Sequence, residues 1–150
     1  TLLSGWRNFQ FQKMDQAGIP LVRILEKIEA SPAQDKLLIL DLSHAGSGPD
    51  LAKQPSTAEM MEAVRTQNAS MSLKTVVVLG SSSKGQTGRT LPGHPTSLFA
   101  ESLAAAYRGT ADQNLDLTIT PRELFDFVSQ KMSQRETNDV PAQTPFLLLP

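Results

Sequence analysis

Lys36-Leu37-Leu38-Ile39-Leu40-Asp41-Leu42 and Leu73-Lys74-Thr75-Val76-Val77-Val78-Leu79 decide how this chain folds. Each is short and apolar at consecutive rather than alternate positions, and the second is β-branched over Thr75–Val78. That is the pattern of a strand covered on both faces, central in a sheet. Strands of this kind belong to parallel sheets, in which a helix carries the chain back between neighbours with a right-handed crossover. The intervening sequence supplies such a helix. After a loop rich in Gly, Ser and Pro over 43–56, Ser56 and Glu59 stand at capping-box spacing and open a helix to about Gln67.

Working outward, Leu21, Ile24, Leu25 and Ile28 recur at helical spacing behind Pro20, which suits a first helical position. They predict a helix over 20–30 that Ser31-Pro32 ends. Residues 1–16, with Trp6, Phe9 and Phe11, follow no period and read as an irregular lead-in to an α/β part at 17–150. Beyond the second strand a long loop runs from Gly80 to about Pro95. A helix over 96–108 follows, with Leu98, Phe99, Leu103, Ala106 and Tyr107 inward and Gly109 as its C-terminal cap. Thr120-Pro121-Arg122-Glu123 joins a capping box to a first-turn proline and starts a helix over 121–133, whose buried stripe is Leu124, Phe125, Val128 and Met132. Thr144–Leu149 is a short, proline-bounded strand suited to a sheet edge. Met60, Met61 and Phe127 fall at core spacing too, which packing explains without a cofactor.

Two fully apolar strands and one short one make too narrow a sheet, because central parallel strands need neighbours on both sides. The expectation is that residues before Thr1 complete it and that 1–150 is the C-terminal part of a single α/β domain. Lys and Arg number 14 against 15 Asp and Glu, a net charge of −1, so no basic footprint points to nucleic acid or an anionic membrane. No apolar run approaches the roughly 20 residues of a membrane span. The chain holds no cysteine, which excludes disulfides, thiolate metal sites and a cysteine nucleophile within it. It shows no signal-peptide pattern, so a cytoplasmic location is the expectation, although the chain starts at Thr1 rather than Met.

In open α/β sheets, ligands bind beyond the carboxyl ends of the strands. Two loops leave that edge, Asp41-Leu42-Ser43-His44-Ala45-Gly46-Ser47-Gly48 and Gly80-Ser81-Ser82-Ser83-Lys84-Gly85-Gln86, and His94 ends the second connection. The first resembles the nucleophile turn of the caspase and metacaspase-like cysteine peptidases, Asp-x-Cys-His-Ser-Gly after a buried strand, with Ser43 where the family has Cys. The second is similar to the family's next strand and its Ser-Ser…Gly-Gln loop. His94–Phe99, Tyr107-Arg108-Gly109, Ala111-Asp112 and Ile119-Thr120-x-x-Glu123-Leu124 resemble its final helices, and Gln143-Thr144-Pro145 the closing segment of bacterial members.

The resemblance covers roughly 20–147 and implies a three-layer α/β/α fold with a mostly parallel sheet and its N-terminal strands outside this chain. It implies a cysteine-type endopeptidase whose base histidine, about 50 residues upstream in caspases, falls before Thr1. With Ser43 for Cys, the implied function is a catalytically degenerate pseudo-peptidase or regulatory module that engages a peptide or protein substrate or partner. The alternative is an active, basic-specific endopeptidase with a substituted nucleophile. A serine hydroxyl needs a placed base where a thiol is already partly ionised. Adjacent Ser43 and His44 diverge at a strand end and do not make a dyad. By the same resemblance, Asp41 lines a pocket for a basic residue, with Ser81, Ser82 and Gln86 as further substrate-binding positions. Read from the residues alone, Asp41 equally suits a turn that caps backbone amides.

Two further motifs compete. Gly80–Thr87 imitates a phosphate loop, but Gln86 occupies the lysine position and Pro92 and Pro95 delay the helix, so nucleotide binding is rejected. Asp112, Asn114, Asp116, Thr118 and Glu123 have the twelve-residue spacing of an EF-hand calcium loop, with Ile119 at position eight. Leu117 stands where that loop wants Gly, and Thr120 with Glu123 already forms a capping box. No cofactor is expected other than calcium at this loop, which would make a third reading, a calcium-responsive binding module.

Overall fold

A computed structural model of the chain describes residues 20–42, 56–67, 73–90, 93, 95–135 and 142–150. The chain divides into two compact units, Thr1–Pro32 and Ala33–Pro150. In the first, α1 spans Leu21–Glu29 with Leu25 fully buried. Pro20 stands one position earlier than expected, outside the helix, where its extended backbone (ψ 135°) lets its carbonyl accept from Arg23 N at 2.9 Å. The last turn closes through Ala30 N to Glu26 O, 3.0 Å, and Ser31 N to Ile28 O, 3.1 Å, before Pro32 stops it.

The second unit is mixed α/β. Its elements are β1 (Lys36–Leu40), α2 (Thr57–Gln67), β2 (Val76–Gly80), α3 (Leu98–Ala105), a π turn over Ala106–Thr110, α4 (Pro121–Ser133) and β3 (Phe146–Leu148). The strands form a sheet in the order β1-β2-β3. β1 and β2 are parallel, Lys36 opposite Val76 through Leu40 opposite Gly80, as two apolar strands joined through a helix demand. β3 runs antiparallel to β2, with Leu79 opposite Leu147 and Gly80 opposite Phe146. The sheet is therefore mixed. The strand expected to be central at both places is central only at β2, where Val76, Val78 and Leu79 are buried. Among the described residues β1 is an edge strand, and its Leu37 is 40% exposed.

Ile39, Leu79 and Leu147 lie in one row across the three strands and pack into a core with Phe99, Leu103, Leu124, Val128 and Met132. Each such side chain contributes about 1.5–3 kcal/mol by leaving water. The helices reach that core through well-made ends. Ser97 caps α3 by accepting from Ala100 N at 2.9 Å, and Ser102 within the helix turns its hydroxyl back onto Leu98 O at 2.8 Å. Thr120 and Glu123 form the reciprocal box expected for α4, with Pro121 in the first turn. The helix expected over 96–108 is regular only to Ala105. A π turn over Ala106–Thr110 finishes it and contains Gly109 at φ 97°, a conformation glycine adopts without steric penalty. Among the described residues no helix is long and apolar enough to cross a membrane.

One contact fixes the β2–β3 register. The Phe146 ring lies directly over Gly80, so that a Cβ there would overlap the ring. Replacing Gly80 by Ala is expected to destabilise the fold by about 1–3 kcal/mol through overpacking. In urea denaturation, Gly80→Ala combined with Phe146→Leu should recover part of that loss, because the smaller side chain removes the clash.

Candidate functional site

The carboxyl ends of β1 and β2 meet at Ser81, whose N–H donates to Leu40 O at 2.9 Å and so extends the parallel ladder by one bond. Asp41 follows Leu40 directly. Its carboxylate Oδ2 accepts a very short hydrogen bond from the Ser97 hydroxyl, which also caps α3. One serine thus ties the end of β1 to the start of a helix, and Asp41 itself remains exposed.

Gln143 arrives from the other side. It is 2% exposed, and its Nε2 donates to Ser81 O at 2.9 Å. Among the described residues, its amide oxygen Oε1 and the hydroxyl of Ser81, itself fully buried, have no hydrogen-bond partner. Buried polar atoms are nearly always satisfied, and each one left open costs about 1–3 kcal/mol. Two of them lie on touching residues at this strand end, where Asp41 is the exposed acceptor. Its chemistry suits a donor-rich cationic group such as a guanidinium or ammonium.

The neighbouring predicted positions Ser82 and Gln86 make hydrogen bonds that hold the loop. Ser82 is buried and clasped to the first residue of α2. Ser82 N donates to Thr57 Oγ1 at 2.8 Å, Thr57 Oγ1 donates to Ser82 O at 2.8 Å, and Thr57 N donates to Ser82 Oγ at 3.2 Å. Gln86 pairs with the strand that follows Gln143. Its Oε1 accepts from Thr144 N at 2.6 Å, its Nε2 donates to Thr144 Oγ1 at 3.2 Å, and Ser83 N donates to Thr144 O at 2.8 Å. The backbone beside Asp41 is thereby joined to Ser81 through Leu40 O, while Ser82 and Gln86 are fastened to Thr57 and Thr144. Ser43 and His44, the predicted nucleophile turn, lie outside the described residues, as does His94.

Sequence reading named Gln143 only within a terminal motif and did not single out Thr57 or Ser97 as site residues. Ser97 carried a signal, since a serine directly before an apolar helical run is a capping position. Gln143 carried none, because burial of a lone polar residue depends on tertiary packing.

Ser56 and Glu59 build the capping box at α2. Ser56 N and Oγ donate to Glu59 Oε2 at 2.8 and 2.9 Å, and Glu59 N donates to Ser56 Oγ at 3.1 Å. The Ser56 N–H and then its hydroxyl hold the Glu59 carboxyl below its ordinary 4.5, with smaller pulls from the Gly85 N–H and Lys84.

The predicted calcium loop is a turn stitched by its own acidic side chains. Asp112 Oδ1 and Oδ2 accept from Asp116 N at 3.2 Å and Leu117 N at 2.9 Å. Asn114 Oδ1 accepts from Asp116 N at 2.9 Å, and Asp116 Oδ1 from Thr118 N at 2.8 Å. Glu123 bonds Thr120 N and Oγ1 at 2.9 and 2.8 Å. Among the described residues no three His, Cys, Asp or Glu side chains are grouped to hold a metal ion. Leu115 and Leu117 adopt φ of 60° and 65°, a region that costs a branched L-residue about 1–2 kcal/mol.

Comparison with protein-family models, curated proteins and solved structures finds no match to this chain.

Two outcomes follow from these geometries. Glu59 prefers its charged form in the folded state, so it stabilises the fold above pH 4.5 and that contribution fades as pH falls through its lowered folded value. In urea titrations the stability gap between wild type and Glu59→Gln should be widest at neutral pH and shrink in acid. Leu117→Gly should raise stability by about 0.5–1 kcal/mol, the relief of left-handed strain less the added entropy of the unfolded chain. Thermal unfolding would show it as a higher midpoint.

Proposed function

We propose that this chain is the C-terminal part of a caspase-like domain with a degenerate nucleophile, and that it binds basic side chains of peptides without cleaving them. The observation that carries the reading is the acceptor set at the carboxyl end of the parallel pair, namely Asp41, the free Oε1 of Gln143 and the free hydroxyl of Ser81. An arginine or lysine side chain is the donor whose charge suits Asp41, the exposed member of the set. A charged group of that kind gains more from buried acceptors than a neutral one. The motif order supports the family part of the reading, as does a parallel pair of strands, the first of which leads directly into Asp41-Leu42. The absence of cysteine from the chain supports the non-catalytic part, since the resembling turn relies on a thiolate.

Fluorescence anisotropy with labelled short peptides tests the idea. Peptides containing Arg or Lys should bind, and the same peptides with norleucine at that position should not. Asp41→Asn and Gln143→Leu should each weaken binding about tenfold or more, the loss expected for a hydrogen bond to a charged partner. Mass spectrometry after prolonged incubation should return the peptides intact. Binding indifferent to the basic residue would overturn the recognition step. Cleavage abolished by Ser43→Ala would overturn the non-catalytic reading in favour of an active endopeptidase.

A further inference from the structure

Leu115 and Leu117 present an anomaly that the acceptor site does not account for. Both sit at positive φ, where glycine or asparagine would be comfortable, and both project into solvent, 81% and 95% exposed. A chain that places branched apolar residues in a strained and fully wet turn forgoes stability twice. Strain retained in this way marks functional positions. The turn is also stiff, because Asp112, Asn114 and Asp116 hold its backbone N–H groups from within. The result is a preorganised finger with two leucine tips and two carboxylates at its base.

The same unit carries a receptacle of matching character. Phe146 and Leu148 lie out of phase with Leu147 along β3, so they point away from the core that Leu147 joins. With Ala58, Met61, Arg65 and Thr66 of α2 they line a groove of about 590 Å³. A second hollow of about 250 Å³ continues it, sharing Arg65 and Leu148 and adding Leu73 and Lys74. The floor is apolar. Its charged rim is Arg65, Lys74 and Glu62, and Glu62 is already engaged by Lys84 at 3.7 Å. Among the described residues, the rim charge left without an ion-pair partner is therefore positive, opposite to the Asp112 and Asp116 carboxylates of the finger.

We infer that the groove receives the Leu115–Leu117 finger of a second copy of this chain. The leucine side chains enter over Met61, Phe146 and Leu148, while Asp112 and Asp116 face Arg65 and Lys74. Finger and groove are different patches, so two copies either exchange fingers in a closed pair or add head to tail, each added copy then leaving one finger and one groove open. Association through so small a patch is weak and becomes visible only at high protein concentration.

Sedimentation equilibrium on the chain from about 10 μM to about 1 mM spans the range in which a contact of this size fills. The weight-average mass of the wild type should climb to that of a dimer or beyond it. Leu115→Asp with Leu117→Asp removes the finger, and Arg65→Glu with Thr66→Glu blocks the groove. Each variant alone should remain monomeric. Mixed in equal amounts, they should form a complex that stops at two chains, since only one intact finger and one intact groove remain. All four positions are exposed, and circular dichroism verifies that the variants fold. If the groove variant loses its spectrum, Lys74→Glu takes its place. A wild type that stays monomeric throughout overturns the inference. So does a finger variant that assembles as the wild type does, or a mixture of two folded variants that remains monomeric.

Discussion

The packing of the Phe146 ring on Gly80 is the constraint from which the rest of the second unit follows. β3 is only three residues long, and the ring acts with Leu147 in the core row and the Thr144 hydrogen bonds to hold its register. A slip by one residue would turn Leu147 out of the core row and bring Phe146 and Leu148 into it. It would also carry Gln143 away from Ser81 and Thr144 away from Ser83 and Gln86, dismantling the strand-end site. A missing side chain on the central strand therefore decides where the polar groups stand several residues away.

Much of this architecture is legible in the residues. Consecutive apolar, β-branched positions identified β2, and the capping-box spacings located the starts of α2 and α4 because those signals are local. What escaped reading was set by contacts between distant segments. Nothing in Thr144–Leu149 states that the strand runs antiparallel, since direction depends on how the preceding chain returns. The strand Lys36–Leu40 reads as central because all its positions after Lys36 are apolar, yet among the described residues it has one neighbour. At Leu117 the sequence argued against a glycine-like conformation, and the Asp112 carboxylate imposes that conformation by capturing the Leu117 N–H.

The strand-end site separates into parts with different duties. Thr57 with Ser82, and Gln86 with Thr144, use nearly all their hydrogen-bonding capacity on each other. They keep two loops at fixed positions relative to the sheet. Ser81 and Gln143 lie between these fastenings and are the two that keep capacity in reserve. A rigid surround is what allows buried polar atoms to stay open, because a looser loop would turn to satisfy them internally. Residue type alone does not distinguish the groups, as both contain serine and glutamine.

The ladders of this sheet also bear on how the chain acquires its structure. β1 meets β2 only across α2, and β2 meets β3 only after α3 and α4 have been traversed. Neither pairing is a hairpin, so each needs a long loop to close before any ladder bond rewards the closure. The self-capped helices α2 and α4 can form from local signals, but the sheet has no local beginning. Its assembly is correspondingly slow, and until β3 docks, β2 exposes the unbroken apolar run Val76–Leu79 to other chains.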